Sequence, residues 1–208
     1  MAAIIFDFDG TIADSFAVIV DVFETITGSK TVLTAAQMHE LKGKPLQVVA
    51  RELHVPFWKI PWLLVRGRRL MGRRINDVPL FDGMGKVIEE LHAEGHQLFV
   101  VSSNSTRNVK RFLKHHHLYP YFVSIRGGVG LFGKPRVLRR LMKRNRLQTD
   151  ECIYIGDETR DVLSAKSIQL RVIAVEWGFA NPNFLRDMLP TAMAARPQDI
   201  IHVIDGLK

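Results

Sequence analysis

Short continuous apolar runs alternate with helical periodicity along most of this chain. Runs at residues 3–8, 97–101, 152–155 and 170–175, with a weaker one at 121–125, are too short for helices and end at polar or glycine positions. They read as buried strands. Between them, apolar residues recur at the 3.6-residue period. Met84, Val87, Ile88 and Leu91 lie within 83–93; Val109, Phe112 and Leu113 within 106–116, behind Ser105 as N-cap. Val137, Leu138, Leu141 and Met142 mark a helix over 135–145, and Val162, Leu163 and Ala165 one over 158–167. Alternation of unbroken apolar strands with helices predicts an open α/β domain whose parallel sheet is covered on both faces.

Residues 15–78 break the alternation and read as helices only, at 16–27, 34–41, 45–54 and from 56 or 57 to 75. The block is either an overlong crossover or, as we expect, an all-helical cap inserted over the strand ends. Residues 1–14 and 79–208 then form the Rossmann-like core and 15–78 the cap, with hinges at Asp14-Ser15 and at 77–83.

Composition narrows the class. The chain has 208 residues, 47% apolar and 24% charged, which is globular and excludes disorder. Cys152 is the single cysteine, so no intrachain disulfide forms and a reducing compartment is expected. No stretch approaches the ~20 apolar residues of a membrane span. The first residues lack the basic and apolar regions of a signal peptide. The expectation is a soluble cytoplasmic protein with no membrane partner.

The formal net charge of +8 is concentrated. Residues 42–76 carry nine basic and one acidic side chain, and 105–149 carry twelve and none. Basic surfaces suit nucleic acid, anionic membranes or acidic small molecules. Aromatic residues are not interleaved with these charges as stacking platforms would require, which speaks against nucleic acid. Arg66, Arg68, Arg69, Arg73 and Arg74 spread around one helix and read as a solvated face. His115-His116-His117 point in different directions and read as a polar helix end.

In an open α/β sheet the site lies at the carboxyl ends of the strands. The polar residues there are Asp7 and Asp9, Ser103 and Asn104, and Asp157. Asp7 and Asp9 lie two apart, so on a continuing strand they share a face, and Gly10 permits a sharp turn before Thr11. Close carboxylates need a cation or a shared proton. A turn aspartate plus a capping aspartate is the plainer alternative. Asp157 precedes a helix that carries Asp161 one turn in, and a simple N-cap would explain it equally. Ser103 and the amides after it offer an anion site at a helix start, with Ser102 competing for the role by one residue of register. Lys134 sits just before a helix, where it is either solvated or a phosphate ligand.

Together and in this order, Asp7-Phe8-Asp9-Gly10-Thr11, Ser103-Asn104, Lys134 and Gly156-Asp157 with Asp161 resemble the four motifs of the haloacid dehalogenase (HAD) superfamily. The resemblance spans residues 4 to about 180. The helical insert after the first motif resembles the C1-capped branch, which contains phosphoglycolate phosphatase and β-phosphoglucomutase. It implies Asp7 as a nucleophile that becomes an aspartyl phosphate, and Asp9 as the acid that protonates the leaving alcohol. It implies Mg²⁺ on the Asp7 side chain, the Asp9 backbone carbonyl and Asp157, with Asp161 behind them or acting through water. Ser103, the Asn104 amide and Lys134 would hold phosphate oxygens beside Gly10 and Thr11. Lys42 and Lys44, in a basic turn of the cap, would read the leaving group. Asp9 is absent from the dehalogenase branch, so its presence favours phosphate esters. The implied enzyme is a Mg²⁺-dependent phosphatase on a small anionic phosphate ester, phosphoglycolate-like, as a monomer or homodimer. The alternatives are a β-phosphoglucomutase-type transferase, a phosphatase of nucleic-acid ends, or a non-catalytic scaffold.

Overall fold

Each apolar run becomes a strand because alternate side chains are buried on opposite faces of one sheet. A computed structural model of the chain describes residues 1–27, 60–130 and 133–207. The strands are β1 (Ala3–Phe6), β2 (Gln97–Val101), β3 (Phe122–Arg126), β4 (Cys152–Gly156), β5 (Arg171–Val175) and β6 (Ala192–Ala194). All pair in parallel, in the order β3-β2-β1-β4-β5-β6. Ile4, Phe6, Leu98, Val100, Ile153 and Ile155 enter one core layer. Ala3, Ile5, Phe99, Val101, Cys152 and Tyr154 enter the other. Period two and two covered faces explain why these strands carry no polar alternation.

Between β1 and β2 come α1 (Phe16–Thr27) and α2 (Ile60–Arg74), which pack on each other, then α3 (Met84–Ala93). The later helices are α4 (Thr106–His115), α5 (Lys134–Asn145), α6 (Thr159–Lys166), α7 (Pro182–Asp187) and α8 (Asp199–Gly206). Apolar residues of α3, α4 and α8 fill the first layer, and those of α5, α6 and α7 the second. Ser105 caps α4 as expected, its Oγ accepting from the Asn108 amide at 3.1 Å. Pro135 falls in the first turn of α5, where its missing N–H costs no helical hydrogen bond.

Two differences from the sequence expectation are local. β1 stops at Phe6, and residues beyond it form a buried turn in which the Ile12 and Ala13 amides donate to the Phe8 carbonyl at 2.9 Å. Asp7 and Asp9 are therefore not two positions of one strand. β6, α7 and α8 are not among the expected elements: β6 has only three residues, although α8 does show helical spacing at Ile200, Ile201, Val203 and Ile204. The histidine run does end a helix: His116 stacks on Phe112, and His117 turns the chain at φ 60°. The expected helices at 34–41 and 45–54, with Lys42 and Lys44, lie outside the described residues. Among the described residues, no helix is long and apolar enough to cross a membrane.

The chain runs from β1 outward to β2 and β3, then returns to β4 on the other side. This reversal leaves a crevice at the carboxyl ends of β1 and β4.

Candidate active site

Alternation carries Asp7 onto the face shared by Ile5 and Tyr154, toward α5 and α6. Lys134, the first residue of α5, meets it there: Nζ lies 2.9 Å from Asp7 Oδ2 and also pairs with Asp161 Oδ1. All three residues are buried. Asp161 is held in turn by the Tyr154 hydroxyl, which donates at 3.3 Å, and the Glu158 amide, at 3.1 Å. Asp157, expected as a possible N-cap, does not cap α6; Glu158 occupies that position. The Asp157 carboxylate instead accepts from Thr11 Oγ1 at 2.9 Å and from the Phe179 amide at 2.8 Å. Gly10, at φ 81°, and Gly178 approach Asp157 so closely that a Cβ at either would overlap its side chain.

Carboxylate oxygens of Asp7, Asp157 and Asp161 all lie within 4.8 Å of one another. Among the described residues Lys134 is the cation that touches them. Burial pushes Asp7 up to about 7, an effect Lys134 only partly offsets. Burial also raises Asp157 well above the carboxylate range. Burial alone would lower Lys134, but Asp161 and Asp7 outweigh it and keep the ammonium charged. Asp7 Oδ1 is buried and has no hydrogen-bond partner among the described residues. A buried carboxylate oxygen left unpaired beside two other carboxylates fits a hard divalent cation with oxygen ligands.

Asp9 faces the other way, toward β2. Its Oδ1 accepts from Ser15 Oγ at 2.8 Å, and the Asn104 side-chain amide reaches Oδ1 and Oδ2 at 3.2 and 3.1 Å. Burial raises its pKa against both of these hydrogen bonds. That favours a carboxyl able to deliver a proton.

The two serines lie in different surroundings. Ser102 is buried and its Oγ accepts from the Asn104 amide at 2.9 Å. Ser103 lines a cavity of about 170 Å³ together with Asp9, Ile19, Arg68, Met71, Asn104 and Val129. The Asn104 amide, expected on a phosphate oxygen, is thus engaged by Ser102, while the Asn104 side chain orients Asp9. Thr11, expected beside phosphate, spends its hydroxyl on Asp157.

Sequence reasoning did not single out Ser15, Tyr154, Asn108 or Phe179, nor Trp177, whose Nε1 donates to the Thr11 carbonyl at 3.1 Å. Trp177-Gly178 was visible only as the end of a strand. The arginine set of α2 also divides. Arg66 lies over the exposed Trp62 ring at 5.0 Å and Arg74 pairs with Asp21 at 2.5 Å, but Arg68 is half-buried at the cavity.

Comparison with known proteins agrees with this geometry. The haloacid dehalogenase-like hydrolase family matches residues 4–175. A phosphoglycolate phosphatase of Synechococcus elongatus is 30% identical over 209 residues, covering 100% of this chain and 99% of the relative. A putative pyrophosphatase of Caldanaerobacter subterraneus is 25% identical, covering 99% and 96%. A haloacid dehalogenase-like hydrolase structure from Streptococcus pneumoniae superposes with a TM-score of 0.82 at 22% identity, covering 98% of each chain. The chain belongs to the haloacid dehalogenase-like hydrolase family and is a phosphoric monoester hydrolase.

Proposed function

We propose that this enzyme is a Mg²⁺-dependent phosphatase of small anionic phosphate esters, phosphoglycolate-like, working in the cytoplasm through an aspartyl phosphate on Asp7. The observation that carries the reading is Asp7 itself: one oxygen held by Lys134, the other buried and unpartnered among the described residues, with Asp9 on the opposite side. The name of the Synechococcus relative supports the substrate class.

In this reading an Asp7 oxygen attacks phosphorus and the bond from phosphorus to the alcohol oxygen breaks. Asp9 gives its proton to that oxygen. Asp9, now a base, takes a proton from water, whose oxygen attacks the aspartyl phosphate and frees Asp7 and inorganic phosphate. Lys134 balances the charge of Asp7 and Asp161, and Ser103 meets the phosphoryl group from the end of β2. Mg²⁺ on the Asp7 side chain, the Asp9 carbonyl and Asp157 would offset the repulsion between carboxylate and phosphate. Asp161 positions Lys134. Gly10 and Thr11 frame the phosphate site, Asn104 keeps Asp9 aimed, and residues 15–78 form the cap, whose Lys42 and Lys44 would add positive charge for an anionic substrate.

A screen of phosphorylated metabolites in Mg²⁺, read by free phosphate, tests the proposal. Phosphoglycolate should rank among the best substrates, and Asp7→Asn should release no phosphate from any of them. Phosphate moved between positions of a hexose phosphate without net release would make the enzyme a mutase. Wild-type activity in Asp7→Asn would remove Asp7 as nucleophile.

A further inference from the structure

The cavity above Asp9 and Ser103 is small and almost neutral. Its volume of about 170 Å³ is well below the roughly 300 Å³ at which pockets for drug-sized ligands begin. Ile19, Met71 and Val129 give it apolar walls, and Ser103 and Asn104 are uncharged. Asp9 already accepts from Ser15 and Asn104. Arg68 is the cation among the described residues that line it.

Arg68 is also poorly satisfied. Its guanidinium reaches the Val129 carbonyl only at 3.4 Å, and among the described residues no carboxylate pairs with it. Its backbone, by contrast, is firmly placed. The side-chain amide of Asn108, buried on α4, donates to the Arg68 carbonyl at 2.8 Å and to Asn104 Oδ1 at 2.9 Å. Asn104 in turn holds both oxygens of Asp9. Gly72 lets α2 come this close, since a Cβ there would lie 2.7 Å from Asn108 Oδ1. Two asparagines therefore link the backbone of Arg68 to the general acid, and the guanidinium reaches from that anchored position to the edge of the cavity.

We propose that Arg68 is the specificity-determining residue that binds a carboxylate on the leaving alcohol, one or two carbons from the ester oxygen. The inference rests on the phosphatase reading and adds the group that selects the substrate. The planar guanidinium suits a carboxylate, the apolar walls suit a short carbon linker, and a substrate carboxylate would supply the ion pair that Arg68 lacks among the described residues.

The test compares kcat/KM for phosphoglycolate with that for ethyl phosphate, which has the same two-carbon skeleton without the carboxylate. Arg68→Gln should lower the ratio of the two by about 10- to 100-fold, the range of a hydrogen bond to a charged group, chiefly through KM for phosphoglycolate. Arg68→Lys should recover part of it. Arg69→Gln, on an exposed position of the same helix, should leave the ratio unchanged. Thermal denaturation checks that each variant folds. An equal loss on both substrates would place Arg68 on the phosphoryl group and overturn the proposal, as would an unchanged ratio. A wild-type enzyme that hydrolyses other phosphate esters but does not prefer the acid would sink Arg68 and the phosphoglycolate-like substrate class while leaving the phosphatase reading standing. Failure to hydrolyse any phosphate ester would sink the phosphatase reading, and Arg68 with it.

Discussion

At the amino ends of the strands a cavity of about 670 Å³ opens among Met1, Thr149, Asp150, Arg171 and Leu207, whereas at the carboxyl ends the cavity beside Asp9 measures only about 170 Å³. The same sheet makes both ends, yet among the described residues the larger space holds no reactive constellation. Asp150 is exposed there, and Arg171 spends its guanidinium on the Leu207 carbonyl at 2.7 Å and on the Asp150 carbonyl. Burial pushes the nearby Cys152 thiol up to about 11, which makes it unreactive. At the other end Asp7, Asp157, Asp161 and Lys134 are buried together and work against one another. Parallel strands explain the asymmetry. Every crossover leaves from a carboxyl end and returns to an amino end, so α4, α5 and α6 all begin at the carboxyl end and bring their N-termini to it. Desolvated charge, rather than volume, marks the site.

The contrast can be broken most severely at Lys134. Lys134→Met leaves Asp7 and Asp161 buried without their cation. It should cost about 3–5 kcal/mol of stability in denaturant unfolding without divalent metal, and abolish phosphate release. Unchanged stability would mean that burial does not strain these carboxylates, and the difference between the two ends would vanish.

A smaller effect should follow pH and metal. In the metal-free protein Asp7 has a folded pKa raised from 3.8 to about 7. Its protonated form therefore contributes stability that is fully present below about 3.8 and lost as pH rises through about 7. Mg²⁺ competes for the same oxygens and must displace that proton. At 100 times its Kd, Mg²⁺ should stabilise the fold by about 2.7 kcal/mol at pH 8. The gain in Tm should shrink steadily as pH falls toward 5.5. A gain independent of pH would take Asp7 out of the cation site.

The smallest effect belongs to the amino end. Asp150→Asn should change stability by no more than about 0.5 kcal/mol and leave kcat/KM for phosphate esters unaltered. A tenfold loss of turnover in that variant would show that the larger cavity takes part in the chemistry after all.

Much of this was legible along the chain because it is local. Runs such as 97–101 announce buried strands, since period-two burial on both faces demands unbroken apolar residues. Asp7, Asp9, Ser103, Lys134 and Asp157 could be collected because each stands where a strand ends or a helix begins. β6 escaped because three residues carry no period. Ser15 and Asn108 escaped because capping and surface polarity explain such residues equally well.

The sequence by itself determined β1 to β5, most of the helices packed on them and the order of the chemical groups, because these follow from neighbours a few residues apart. The tertiary structure alone decided which serine faces the cavity, that Asp7 and Asp9 look to opposite sides, and which arginine of α2 lines the cavity. Thr11 meets Asp157 across 146 residues and Asn104 meets Asp9 across 95. Contacts of that span leave no periodic trace, because they are made by the packing of whole elements rather than by the residues between them.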